Sequence, residues 1–144
     1  MKVYIISGTL GAGKTTVGRL LTKKLKNSLL VSSDIFMEMP PNNENLDWHK
    51  KLEVVWDNTI SSAKSALALN KDVVIEGVVE DEYPRLQQAF VGHDIHYHIL
   101  IANEDVLSLR MKERKTEELI SRSMNVLNKF KKDSQKTPFF IDTS

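Results

Sequence analysis

The 144-residue sequence has no cysteine. That rules out disulfides and thiolate metal sites within it, and it fits a chain working in a reducing cytoplasm. It also lacks long apolar runs: none approaches the roughly 20 residues that cross a bilayer, so no contact with a membrane is expected. The apolar stretch at residues 3–6 is far too short for the core of a signal peptide, so no leader is expected. Charge of one sign is lacking too. The formal net charge is +1, which gives no global pull toward nucleic acid or an anionic surface. Proline is scarce, at four residues, and no linker divides the chain. The length suits one domain over residues 1–144, and a 41% hydrophobic content is enough to close a core.

Glycine is scarce as well, and that makes one stretch stand out. Three of only six glycines, Gly8, Gly11 and Gly13, fall in the opening MKVYIISGTLGAGKTT. The residues before them read as a buried strand. The residues after them, Val17, Leu20, Leu21 and Leu25, recur at helical spacing. Gly8-Thr9-Leu10-Gly11-Ala12-Gly13-Lys14-Thr15 satisfies G-x-x-x-x-G-K-[ST], and a strand before and a helix after is the context the motif requires. Glycine lets bare backbone approach a ligand. Successive N–H groups then form an anion nest, and the helix N-terminus adds partial positive charge. Such a phosphate loop (P-loop) wraps a triphosphate. Residues 8–14, with Thr15 and Thr16, are the nucleotide-binding candidates. Lys14 would reach the β- and γ-phosphates and Thr15 would ligate magnesium. The plain alternative is a glycine turn with a helix-facing lysine.

The rest of the chain alternates strand and helix. Strands are expected at 2–7, 29–33, 72–76, 95–102 and 139–141. Helices are expected at 14–26, 46–69, from about Pro84, from Glu104, and at 116–132, with a loop over 37–45 marked by Pro40 and Pro41. Strands separated by helices favour a parallel sheet covered on both faces. Ligands of such sheets bind beyond the carboxyl ends of the strands. Asp34 and Glu76 sit at such ends. A carboxylate there can hold magnesium or accept a proton from an attacking hydroxyl. Arg110 and Arg114 lie one helical turn apart and share a face. Planar guanidinium suits a moving phosphoryl group. The plain alternatives are a helix cap for Asp34, a surface carboxylate for Glu76, and pairing of the arginines with Glu113, Glu117 or Glu118.

With Asp34 after the second strand, Glu76-Gly77 closing the third, Arg110 and Arg114 in LRMKER, and IDTS at 141–144, the chain resembles the P-loop small-molecule kinases. That group contains the adenylate, shikimate and gluconate kinases. The resemblance covers nearly the whole chain, and the P-loop is its specific part. It implies a three-layer α/β P-loop NTPase fold: five parallel strands in the order 2-3-1-4-5, flanked by helices. It implies ATP and Mg2+ as cofactors and a small-molecule acceptor. The acceptor-side helical segment would span about 35–71, and an arginine-bearing lid about 110–135. By the same resemblance, Lys14, Asp34, Arg110 and Arg114 are catalytic, with Asp34 toward the acceptor. Arg110 also stacks near the base or touches phosphate, Arg114 touches the γ-phosphate, and Arg122 comes from the lid. Thr15, Asp34 and Glu76 form the metal side, with Asp142 and Thr143 beside the adenine.

Rival functions remain. A regulatory GTPase would read guanine through N-K-x-D, but Asn70-Lys71-Asp72-Val73 has valine in the last place. A polynucleotide kinase finds no basic-aromatic interleaving to support it. A nucleoside monophosphate kinase needs cations on the acceptor side. Residues 34–84 hold no arginine, four lysines and eleven acids, so a neutral or cationic acceptor is expected. An inert nucleotide-binding module is the last alternative. Trp56 falls on the apolar stripe of the long helix, whereas Trp48 lies nearer the acceptor end. His96 and His98 share one face of a strand, at the end away from the P-loop, and a core or surface role suits them.

Overall fold

A computed structural model describes residues 1–38 and 46–144; most of the expected 37–45 loop, with Pro40 and Pro41, lies outside the described residues. Among the described residues one sheet forms, from β1 (Lys2–Gly8), β2 (Ser28–Ser32), β3 (Asp72–Glu76), β4 (Asp94–Ile101) and β5 (Phe140–Asp142). The strand order is β2-β3-β1-β4-β5, and every neighbouring pair is parallel, as expected. The helices are α1 (Lys14–Leu25), α2 (Trp48–Ala68), α3 (Tyr83–Ala89), α4 (Glu104–Glu113) and α5 (Ile120–Lys132). Short 3-10 turns stand at Ser33–Glu38, Glu117–Leu119 and Thr137–Phe139.

Alternation along the strands builds two cores. Val3, Ile5, Val73, Ile75 and Ile99 share one face with Val55, Trp56 and Ala63 of α2 and with Val126 and Phe130 of α5. Ile6, Val74 and Leu100 face the other way, toward Leu107 of α4 and Leu127 of α5, with Val17 and Leu21 of α1 packed against them. Register decides where the chemistry gathers. Glu76 lies level with Ile6 on one side and with Ser32 on the other, so β2 and β3 finish together while β1 runs two residues further, to Gly8.

Some boundaries move. β2 runs from 28 to 32 rather than 29 to 33, so Asp34 sits in a 3-10 turn beyond the strand and not at its end. The last helix starts at 120, not 116. Lys115 takes φ 58°, and the Thr116 hydroxyl donates to the Met111 carbonyl at 3.1 Å, which closes α4 before α5 begins. β5 is shifted one residue later than expected.

The expected lid, 110–135, contains α5, whose Ser123, Val126, Leu127 and Phe130 are buried. These residues recur at i, i+3, i+4 and i+7, the spacing of a core-facing stripe. That half of the segment is therefore built into the body of the fold. Phe130→Ala is expected to destabilise the protein by about 3–5 kcal/mol, the cost of emptying a filled aromatic site, as measured by chemical denaturation. A change near zero would mean that α5 does not hold the two cores together.

Candidate active site

The turn from β1 to α1 depends on glycine at two points. A side chain at Gly8 would put its Cβ 2.4 Å from the Leu100 carbonyl oxygen, so only a bare backbone passes β4 this closely. Gly13 has φ 100°, a left-handed conformation that glycine takes at little cost, and it begins α1 with no side-chain cap. By contrast, α2 is capped by Asp47 and α4 by Asn103, each accepting a backbone N–H at 2.8–2.9 Å. The first N–H groups of α1 thus receive no side-chain cap from Gly13.

Lys14 folds back over this turn. Its ammonium donates to the Thr9 carbonyl at 3.0 Å, and the residue is only 8% exposed. Burial holds Lys14 below the ordinary lysine value; the negative charges of Asp34 and Glu76 oppose that shift, and Arg114 reinforces it. Lys14, Thr15, Asp34 and Arg114 line one cavity of about 180 Å³, together with Leu10, Gly11 and Gly13.

Glu76 stands behind that cavity, at 1% exposure, which excludes the reading of it as a surface carboxylate. Its Oε1 accepts from the Ser32 hydroxyl at 2.6 Å and from the Thr15 hydroxyl at 3.2 Å. Its Oε2 is buried with no partner. Magnesium takes oxygen ligands, and in phosphate sites it uses one or two carboxylates with waters and substrate oxygens completing the set. An orphaned carboxylate oxygen beside the Thr15 hydroxyl fits that donor chemistry. Among the described residues there is no cluster of three or more metal-binding side chains, so Thr15 and Glu76 could supply only part of a shell.

The arginines separate. Arg114, at the end of α4, lines the cavity with Lys14. Arg110 lies on the other side of the loop, where Nη1 donates to the Gly11 carbonyl at 3.3 Å and to Thr143 Oγ1 at 3.2 Å, and Nη2 bonds the Thr143 carbonyl. Among the described residues, neither is paired with a carboxylate. Arg122 belongs to a second cavity. Leu10, Asp34 and Val78 line both that cavity and the first, and Trp48, Leu52, Val55 and Trp56 supply its apolar wall. Arg122 donates to Glu80 at 3.0 Å and lies 5.5 Å over the ring of Trp48, which is 47% exposed. This cavity widens into a polar one of about 470 Å³ bounded by Glu53, Glu80, Asp81, Glu82, Arg85 and Lys129.

The structure thus amends the charge count over 34–84. Arg85, Arg122 and Lys129 come to the wide outer cavity from outside that segment, and each is already paired: Arg85 with Asp57, Arg122 with Glu80, and Lys129 with Asp81 at 2.8 Å. Three residues that sequence reasoning did not single out also matter. Ser32 holds Glu76, Thr116 closes α4 at the cavity wall, and Ser123 donates to the Leu10 carbonyl at 2.7 Å. Ser123 carried a readable signal, since it is a hydroxyl on the apolar stripe of an amphipathic helix.

A protein-family model described as an AAA domain matches residues 5–131. No curated protein sequence matches the chain. Among solved structures, a chain of the Pnkp1/Rnl/Hen1 RNA repair complex aligns with TM-score 0.70 at 18% identity over 91% of this chain. This protein spans only 45% of that chain's length. The tunicamycin resistance protein of Deinococcus radiodurans aligns with TM-score 0.71 at 18% identity, over 99% of this chain and 86% of the other. Shikimate kinase of Bacteroides thetaiotaomicron aligns with TM-score 0.66 at 18% identity, over 97% and 85%. At such identities the likeness is one of fold. The match over residues 5–131, on a 2-3-1-4-5 parallel sheet with a glycine loop at the head of β1, shows that the chain belongs to the AAA domain family and has the fold of the P-loop kinases.

Proposed function

We propose that the protein is an ATP-dependent phosphotransferase that moves the γ-phosphoryl group of Mg-ATP to a hydroxyl of a small neutral or cationic molecule. The observation that carries this reading is the position of Asp34, an exposed carboxylate on the wall common to the P-loop cavity and the aromatic-walled cavity beside it. One cavity has the donors for a phosphate chain; the other has an apolar wall and a polar mouth, as suits a small organic acceptor. A cytoplasmic location, where ATP is supplied, goes with this reading.

The residues divide the work. The loop amides and Lys14 hold the β- and γ-phosphates, and Arg114 neutralises charge on the moving group. Arg110 supports the nucleotide side from behind the loop. Thr15 and Glu76, with Asp34 nearby, would hold Mg2+, which would draw charge from the phosphate oxygens. Asp34 accepts the proton of the acceptor hydroxyl. The freed oxygen forms the new bond to the γ-phosphorus, the bond to the β–γ bridging oxygen breaks, and ADP leaves with that electron pair.

The pairing of Arg85, Arg122 and Lys129 supports the acceptor class. A phosphorylated acceptor would have to strip Glu80, Asp81 or Asp57 from these cations. A neutral acceptor leaves the pairs intact, and an amine can take one of the carboxylates. A polynucleotide with a terminal hydroxyl is the second reading. The same three cations at the wide outer cavity favour it, and their existing pairs count against it.

Three outcomes are expected. Lys14→Ala lowers turnover by about 10²–10³ and weakens Mg-ATP binding, with unchanged circular dichroism; activity equal to wild type would remove the P-loop from the mechanism. Asp34→Asn lowers phosphoryl transfer by about 10²–10⁴ with little loss of ATP affinity, measured by calorimetry beside steady-state rates. A parallel collapse of ATP affinity would assign Asp34 to the nucleotide. In a panel of AMP, CMP, UMP, GMP and dTMP against their nucleosides and hydroxylated amines, turnover falls among the compounds without phosphate. Efficient use of any monophosphate would overturn the acceptor class.

A further inference from the structure

Every carbonyl of the phosphate loop from Thr9 to Gly13 has a donor. Thr9 O accepts from Lys14 Nζ at 3.0 Å and from the Ala12 amide at 3.2 Å. Leu10 O accepts from the Ser123 hydroxyl of α5 at 2.7 Å. Gly11 O accepts from Arg110, Ala12 O from the Thr143 hydroxyl at 2.8 Å, and Gly13 O from the Val17 amide at 2.9 Å. A planar trans peptide points its N–H opposite to its C=O. The Ser123 bond therefore aims the Gly11 N–H away from α5, and the Thr143 bond aims the Gly13 N–H away from the segment after β5. Gly11 and Gly13 line the cavity; Ser123 and Thr143 do not. Both hydroxyls thus act on the loop from the side opposite the ligand.

Ser123 is fully buried on a helix whose other inward residues are Val126, Leu127 and Phe130. A buried hydroxyl is costly unless bonded. A helical serine can satisfy itself on the carbonyl four residues back, but this one reaches Leu10 in a different element. Thr143 spends its single hydroxyl proton between two acceptors, Ala12 O and Ile101 O at 3.2 Å, and so ties the loop to β4.

We propose that Ser123 and Thr143 are positioning residues of the phosphate loop. By fixing the Leu10 and Ala12 carbonyls outward they hold the Gly11 and Gly13 amides toward the phosphates, and they set affinity for the phosphate chain rather than for the base. This assignment rests on the nucleotide reading above. It gives Thr143 a role other than a place beside the adenine.

Inorganic tripolyphosphate with magnesium, a phosphate chain with no base, separates these roles. Its affinity and that of ATP are measured by calorimetry for wild type, Ser123→Ala, Thr143→Val and Thr143→Ser, with thermal midpoints recorded alongside. Ser123→Ala and Thr143→Val are expected to weaken tripolyphosphate and ATP alike, each by about tenfold, the effect of one unsatisfied carbonyl loosening the loop. Thr143→Ser, which keeps the hydroxyl, is expected to restore wild-type affinity within about twofold, inside the scatter expected when a hydrogen bond is kept. A loss for ATP with none for tripolyphosphate would make Thr143 a base contact and overturn the assignment for it. A lowered midpoint with unchanged affinities would make either residue merely structural and overturn the assignment for that residue. Failure of wild type to bind either ligand would overturn the nucleotide reading, and this one with it.

Discussion

Two opposite charges are buried where β1 and β3 end, and neither has a charged partner in contact among the described residues. Lys14 rests on a carbonyl, and Glu76 is held by two hydroxyls with one oxygen left over. Removing a charge from water costs several kcal/mol unless hydrogen bonds or a counterion make it good. Much of the architecture serves to hold this pair in place. The common finishing point of β2 and β3 brings Ser32 level with Glu76, and the glycine turn brings Thr15 round to the same oxygen. The depressed proton affinity of Lys14 records the unmet cost on the cationic side. A phosphate at the ammonium and a hard cation at the carboxylate would each relieve it. On the nucleotide reading proposed above, ligand affinity is stored as incomplete solvation of the protein's own groups.

Beyond the loop, the outer cavity is lined by ion pairs that share partners. Glu80 is largely shielded and lies between Arg122 and Lys129, with Asp81 sharing Lys129. The hydrogen bond that Lys129 donates to Asp81 is the main reason Lys129 binds its proton more tightly than an ordinary lysine. Burial pushes the neighbouring Glu82 carboxyl up. The outer cavity therefore has an internally balanced wall rather than a field of one sign. Any ligand with a charge must exchange partners within it.

The loop and the two covered faces were legible in the sequence because each is written locally: a motif of eight residues, a period of two, a period of 3.6; the strand order is not local and came only through the family resemblance. Glu76 was legible as a strand end, but its depth was not, because burial depends on Gly18 of α1 and on Ser32 of β2 closing over it. Arg114 could be grouped with Lys14 through the family pattern alone. Arg110 and Arg114 looked equivalent from their spacing, yet α4 sends one behind the loop and one into the cavity. The count of arginines over 34–84 was correct as a count and incomplete as a description, because a parallel sheet brings residues 85, 122 and 129 to the same mouth. Reading 110–135 as a lid overlooked the apolar stripe of α5, whose inward residues belong to both cores.

The separation in sequence between the loop and its supports has a consequence for synthesis of the chain. Leu10 is bonded to a residue 113 positions later, and Ala12 to one 131 positions later. Helix α1 and the turn before it leave the ribosome long before these donors exist, so their outer carbonyls at first face water. Contacts of such long range form late, since loop closure must precede them. A nascent chain lacking residue 143 therefore carries the whole glycine motif without its finished geometry. On the positioning role proposed for Ser123 and Thr143, tight capture of a phosphate chain waits until both residues have been translated.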